Sequence, residues 1–178
     1  MPAPLANRFI HLTLRHDFET WQTWAIENKI HPDVVGYITA NKVDLFNFDA
    51  KMSGQSFATP RSWSFVSELL TDDDTDTETL TDLVSGAIGE GLALKFMAHR
   101  KIAGQLPKPS EILEGKVTEL KVKEISAMYS LTISMCYELK DMIDNKKVDN
   151  KKFHEYAYNF IQYMMDNFET ELVVMGAK

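Results

Sequence analysis

Two arginines in this chain stand where phosphate chemistry would place them. Arg8 ends the run Met1-Pro2-Ala3-Pro4-Leu5-Ala6-Asn7-Arg8, and Arg61 follows Thr59-Pro60. A guanidinium is planar, permanently charged and forked, which suits the developing charge of a transferring phosphoryl group. Thr59-Pro60 is a helix-start signal, an N-cap hydroxyl followed by proline in the first turn. Arg61 then falls in that first turn, where a cation opposes the helix dipole at a cost of a few tenths to ~1 kcal/mol. The same helix end attracts anions through its free N–H groups, so a phosphate between the two makes physical sense of the arginine. The plainer reading is a surface arginine paired with Asp49 or Glu68. Arg8 precedes a β-rich run and can reach from the lip of a sheet to a neighbouring subunit. Its plainer reading is a strand-edge charge that blunts aggregation. No G-x-x-x-x-G-K-[ST] loop occurs among the 178 residues, nor an apolar strand ending in paired acids for magnesium. Nucleotide chemistry here therefore requires a second polypeptide.

The elements that must position these residues are almost all helical. Phe9 to Leu14 alternates and is β-rich, the one strand signal, and a lone strand needs a sheet from elsewhere. Asp17 caps a helix carrying Phe18, Trp21, Trp24 and Ala25 on one side. Pro32 opens a second helix through about Ala40, and a turn-rich stretch runs from about Asn47 to Ala58. The helix from Pro60 carries Phe65, Val66, Leu69 and Leu70 as its expected buried stripe. After an acidic loop from Thr71 to Glu78, Leu80, Leu83, Val84, Ala87 and Ile88 follow helical spacing. Gly86, Gly89 and Gly91 loosen or break that helix before a continuation to about Ala103. Pro107 and Pro109 mark a boundary. Beyond it lie a short helical turn, a linker and two long amphipathic helices. One carries Ile125, Met128, Thr132, Met135, Cys136, Leu139 and Ile143. The other carries Phe153, Tyr156, Ala157, Phe160, Ile161, Met164 and Phe168. The short Asp144–Lys147 connection makes them an antiparallel hairpin.

Other motifs carry less. The five histidines show no metal-ligand spacing with acids or Cys136, so no metal site is expected. Gly86-x-x-Gly89-x-Gly91 follows a helix in the wrong order for a dinucleotide turn. Asp72-Asp73-Asp74 lacks a calcium-loop pattern, and Cys136 on an apolar stripe reads as core. A formal net charge of −7 argues against a nucleic-acid partner, whose phosphates demand a basic face. A single cysteine, no apolar run of ~18 residues and no signal-peptide pattern give the expectation of a soluble, cytoplasmic protein without a membrane partner.

Pro4-Leu5-Ala6-Asn7-Arg8-Phe9, Trp21-x-x-Trp24-Ala25, Ile30-His31-Pro32 and Thr59-Pro60-Arg61-Ser62-Trp63-x-Phe65-Val66, taken in that order, resemble the C-terminal half of MoxR-type AAA+ ATPases of the bacterial and phage branch. The likeness is detailed from Met1 to about Leu70 and holds in pattern to about Leu106. The resemblance implies an arginine finger at Arg8, acting on a neighbour's ATP, and a sensor-2 arginine at Arg61. Pro60 and Asn7 are the further implied nucleotide-side residues, Asn7 for positioning. It also implies that both Walker motifs and the sensor-1 residue precede the point where this chain begins. ATP and Mg are then cofactors only of a completed ring.

The expected fold is mainly α: a remnant of an α/β core over 1–14 with one orphan strand, an AAA+ lid-like helical domain over 15–106, and a C-terminal helical region over 107–178. The expected function is the lid and trans-acting arginine portion of a ring ATPase that remodels partner proteins, inactive alone. Its partners would be the missing N-terminal half or complete AAA+ subunits. The alternative is a non-enzymatic helical adaptor that docks on a complete ATPase, with its strand completing a partner sheet; an unrelated helical interaction protein and a gene fragment are the remaining readings.

Overall fold

The computed structural model describes residues 8–10, 17–48, 56–71, 75–145 and 148–177. Among these residues lie nine α-helices and no strand, so the chain is mainly helical. The β pairing there is one antiparallel bridge between Asn47 and Ala58. Arg8, Phe9 and Ile10 form an exposed turn and bend. Residues 11–14, the rest of the expected strand, lie outside the described residues, as does Asn7.

Capping chemistry explains most helix starts. Asp17 accepts the Thr20 N–H at 2.8 Å and opens α1 (Phe18–Glu27). Pro32 takes the first position of α2 (Pro32–Ala40), and His31 Nδ1 accepts the Asp33 N–H. A 3-10 turn over Lys42–Leu45 leads to the bridge, and α3 (Pro60–Leu69) follows. Asp76 caps α4 (Thr77–Ile88). Gly89, at φ +89°, then separates α4 from α5 (Glu90–Ala103), a backbone region that a side chain would disfavour. The short α6 (Pro109–Leu113) precedes α7 (Ile125–Asp144), capped by Glu124, and α8 (Asn150–Asn167), capped by Asp149. A last helix, α9 (Thr170–Gly176), was not expected from the apolar spacing.

Two apolar clusters share one helix. The first gathers α1 to α5 around Val34, Ile38, Trp63, Val84 and Phe96, and also takes Ile133 of α7. The second gathers α6, α8 and α9 around Leu113, Met135, Phe160 and Met164, with Met128 and Leu131 of α7. The broadest helix–helix contact is α2 on α7. Gly36 makes that approach possible: a Cβ there would stand 2.7 Å from Ser130 Cα, with Ser130 N and Oγ closer still. Tyr137 Oη also donates to the Ile30 carbonyl at 2.9 Å, fastening α7 to the α1–α2 connection.

Several expected stripe residues face solvent instead. Phe65 is 50% exposed, because α3 turns Trp63, Val66 and Ser67 inward, about one residue round from the expected face. Burying the larger indole wins over burying the phenyl ring. Trp24, Leu83, Ile125, Ile143 and Ile161 are likewise exposed. Each helix meets its neighbours over a narrower arc than its apolar residues cover.

Candidate functional site

Arg61 occupies the second position of α3, and the local sequence dictates how it is presented. Thr59 Oγ1 accepts the Ser62 N–H at 3.0 Å while Ser62 Oγ accepts the Thr59 N–H at 2.7 Å, a reciprocal capping box. Trp63 N–H already bonds the Thr59 carbonyl, and Pro60 has no N–H. The Arg61 N–H is then the one first-turn donor these bonds leave over. Expectation and structure differ here: the helix end does not offer a row of free amides, because its own cap consumes them. What it offers an anion is the Arg61 side chain and a single backbone donor.

The electrostatics of that end are one-sided. Arg61 is exposed, α3 has no acidic residue in its first turn, and among the described residues no carboxylate pairs with Arg61. Glu68, one of the two partners considered from sequence, does not reach it; Asp49, the other, lies outside the described residues. The partial positive charge of the helix end and the guanidinium therefore add, an arrangement that favours a bound anion. Pro60 is half-buried and holds the first-turn geometry. Arg8 is exposed in its turn, and no hydrogen bond or ion pair among the described residues joins it to Arg61.

Behind Arg61 the helix is anchored deeply. Trp63 is fully buried, donates Nε1–H to the Asp44 carbonyl at 2.9 Å, and packs against Tyr37 and Phe96 with ring centroids 5.7 and 5.4 Å away. Tyr37 in turn lies 5.5 Å from the His99 ring and donates its hydroxyl to Asp44. Burial, with the Asp44 carboxylate beside it, pushes the Tyr37 phenol well above its ordinary pKa.

His99 centres a polar network that spacing along the chain did not reveal. It is 4% exposed, with Nδ1 2.7 Å from Ser126 Oγ and Nε2 3.1 Å from Ser130 Oγ. Ser126 Oγ donates to Glu124 at 2.6 Å. The ionised carboxylate only accepts, so Ser126 must accept from Nδ1–H, and Nε2 is free to accept from Ser130. Every polar atom of the array is satisfied by a neutral imidazole. Burial is the main cause that lowers the His99 pKa, with Asp33 and Glu124 opposing it. Next to it Arg100 Nε meets Asp33 Oδ2 at 3.2 Å, joining the basic end of α5 to the acidic start of α2. Serine, histidine and glutamate are the residue types of a hydrolase. Here, however, the carboxylate holds a serine and not the imidazole, and both serines are buried away from any substrate. The array interlocks α5 with α7. The only signal in sequence was the serine spacing Ser126-x-x-x-Ser130, which puts both hydroxyls on one helix face.

The remaining chemistry-bearing groups are quiet. Cys136 is partly buried against the second cluster, and burial pushes its thiol up to about 11, so it is not a nucleophile at neutral pH. Among the described residues no group of three or more His, Cys, Asp or Glu is placed to hold a metal, and no helix is long and apolar enough to cross a membrane. A cleft of about 620 Å³ opens between α1, α7 and α9, lined by Phe18, Gln22, Ile26, Tyr129, Val174 and Met175 among others.

No known protein family, curated protein or solved structure matches this chain. Its function has to be argued from the site.

Proposed function

We propose that this chain is the lid and arginine-finger portion of a MoxR-like AAA+ ATPase, a ring machine that spends ATP to remodel partner proteins. One observation carries the reading. The capped start of α3 presents Arg61 to solvent on a positive helix end, without a carboxylate partner among the described residues. Among the described residues no acid neutralises it, and at a helix start an anion would lower its energy. The buried Trp63 two residues on fixes the helix that aims it.

In this reading Arg61 contacts the γ-phosphate bound by its own subunit, and Arg8 reaches the neighbour's. Asn7 positions Arg8, and Pro60 sets the angle of the first turn. The chain supplies cations and one backbone donor, which suits a contributor to a nucleotide site assembled with another polypeptide. ATP and Mg bound by that polypeptide supply the reacting phosphoryl group and its counter-charge. Arginine fingers in phosphoryl transfer are worth on the order of 10³–10⁵ in rate, a scale that sets the expected loss.

The test is complementation. The isolated chain should hydrolyse no ATP. Mixing it with a polypeptide carrying the Walker motifs of the same family should raise the ATPase rate, and Arg8→Ala should abolish the rise while sparing nucleotide binding. Robust hydrolysis by the pure chain, or a silent Arg8→Ala, would refute the assignment. Stimulation of an already complete ring that survives both Arg8→Ala and Arg61→Ala would mark an adaptor instead.

A further inference from the structure

Between α6 and α7 the chain runs over 117–124 without a turn or a bend. One side chain of α8 lines this stretch like a neighbouring strand. Asn167 Oδ1 accepts the Leu120 N–H at 2.8 Å, and its Nδ2 donates to the Thr118 carbonyl at 2.9 Å. These are the two groups that flank Glu119 on one side of an extended chain. Backbone alternation then turns the N–H and C=O of Glu119, Lys121 and Lys123 to the opposite side. Among the described residues none of those groups has a partner within the chain, and all three residues are exposed. Leu120, between them, is buried in the second apolar cluster and holds the stretch against the body. The result is a strand edge that is fixed in place and open to a further backbone.

We propose that this edge pairs with the same edge of a second copy, strand against strand, antiparallel about a two-fold axis at Leu120. The edge is self-complementary, and that selects the occupant. With the axis at Leu120, Glu119 stands directly opposite the copy's Lys121, and Lys121 opposite the copy's Glu119. The outward backbone groups of each such pair meet and exchange hydrogen bonds. Directly opposed side chains lie ~5 Å apart at Cβ, whereas the like pairs, Glu119 with Glu119 and Lys121 with Lys121, are diagonal at ~7–8 Å. Each Lys123 faces Val117 and has the copy's Glu119 as its own diagonal neighbour, so attraction prevails. Among the described residues none of Glu119, Lys121 and Lys123 is in an ion pair that would have to break first. Lys116 and Glu124 also come opposite one another, but Glu114 and the first turn of α7 already hold them. Slipping the copy by two residues sets Lys121 on Lys121 or Glu119 on Glu119, and a parallel pair in register opposes like charges throughout. Lysines on an edge ordinarily repel a second strand; here only one arrangement gives the central lysine its counter-charge. A single strand pair is smaller than a standard interface, so the Kd expected is on the order of 100 μM. The inference is independent of the nucleotide reading.

Sedimentation velocity of the full chain, from about a tenth of that Kd to about ten times it, tests this. A monomer–dimer equilibrium is expected, with amide exchange at Glu119 and Lys121 slowing only at the higher concentrations. Glu119→Lys and Lys121→Glu should each raise Kd by about tenfold, since each turns two attractive cross-strand pairs into repulsive ones. The combined swap should return Kd to within about twofold of the original. Circular dichroism should stay unchanged, because both side chains face solvent in the monomer. Lys121→Pro deletes an outward N–H and should abolish the dimer. A chain that stays monomeric throughout, or a dimer indifferent to both single swaps and to Lys121→Pro, overturns the proposal. A combined swap that fails to restore pairing overturns the antiparallel arrangement.

Discussion

Replacing Gly36 by alanine sets two effects of opposite sign against each other, and the α2–α7 crossing decides between them. In the interior of a helix alanine is favoured over glycine by about 0.8–1 kcal/mol. Against this, a Cβ at position 36 would lie 2.7 Å from Ser130 Cα, and nearer still to Ser130 N. These are backbone atoms of a buried helix, not the end of a flexible side chain. The α7 axis must retreat by most of an ångström, and overpacking of this kind costs about 1–3 kcal/mol. Because α2–α7 is the broadest contact in the fold, the upper end applies. The net expectation is a loss of about 2 kcal/mol, or a Tm about 4–8 °C lower for a chain of this size. Gly86 supplies the control, since it too is helical but a Cβ there meets nothing within 4 Å. Gly86→Ala should raise Tm by about 2–4 °C. Thermal unfolding followed by circular dichroism reads both. If Gly36→Ala stabilises as much as Gly86→Ala, the two helices do not cross as closely as described and the argument fails. Ser130→Ala should not rescue Gly36→Ala, because the backbone atoms remain in the way.

Three further outcomes follow from the same structure. The folded His99 binds its proton less readily than the unfolded residue, so between its lowered pKa and about 6.5 the unfolded chain holds more protons. Stability contributed by neutral His99 is complete above about pH 6.5 and is lost as pH falls below it; urea midpoints should decline there, and His99→Gln should flatten the slope. Thr59→Ala removes the acceptor of the Ser62 N–H and should cost about 1 kcal/mol, seen as a Tm about 2–4 °C lower. Arg61→Ala should leave Tm unchanged or raise it slightly, since it deletes a cation opposing the α3 dipole worth up to ~1 kcal/mol. A fall of several degrees would show that Arg61 is a structural residue.

What was legible in sequence was whatever is decided within one turn of chain. Asp17, Pro32 and Thr59-Pro60 announced their helices because a cap satisfies donors only two or three residues away. Gly86, Gly89 and Gly91 together announced a loosening or break; of the three, Gly89 makes it, while Gly86 and Gly91 stay helical. Which arc of each helix is buried was less legible, since that depends on the neighbour. Phe65 and Ile161 satisfy helical spacing as well as any core residue does, yet both face out. The His99 network was hidden because its partners lie 27 and 31 residues along the chain. Gly36 was hidden because nothing in its own helix demands a glycine; the demand comes from Ser130. At the candidate site the sequence placed Arg61 correctly in the first turn of α3. It overestimated the free amides beside it, because the Thr59–Ser62 box is reciprocal.

The position of Arg61 acquires meaning from what stands behind it. Trp63, two residues on, touches Tyr37 and Phe96; Tyr37 touches His99; His99 bonds both serines of α7. Each member of that chain is buried, and close-packed interiors have low compressibility and transmit strain. Turning α3 relative to α7 would strip the indole of its partners and leave a buried imidazole with unpaired nitrogens, a cost of about 1–3 kcal/mol for each orphaned polar group. The Gly36–Ser130 crossing and the Tyr137–Ile30 hydrogen bond fasten α2 and the α1–α2 connection to the same α7. An anion that pulls on Arg61 therefore pulls on α7 as well. In the proposed ring, a change of nucleotide at α3 would reach the C-terminal helices through this buried series of contacts.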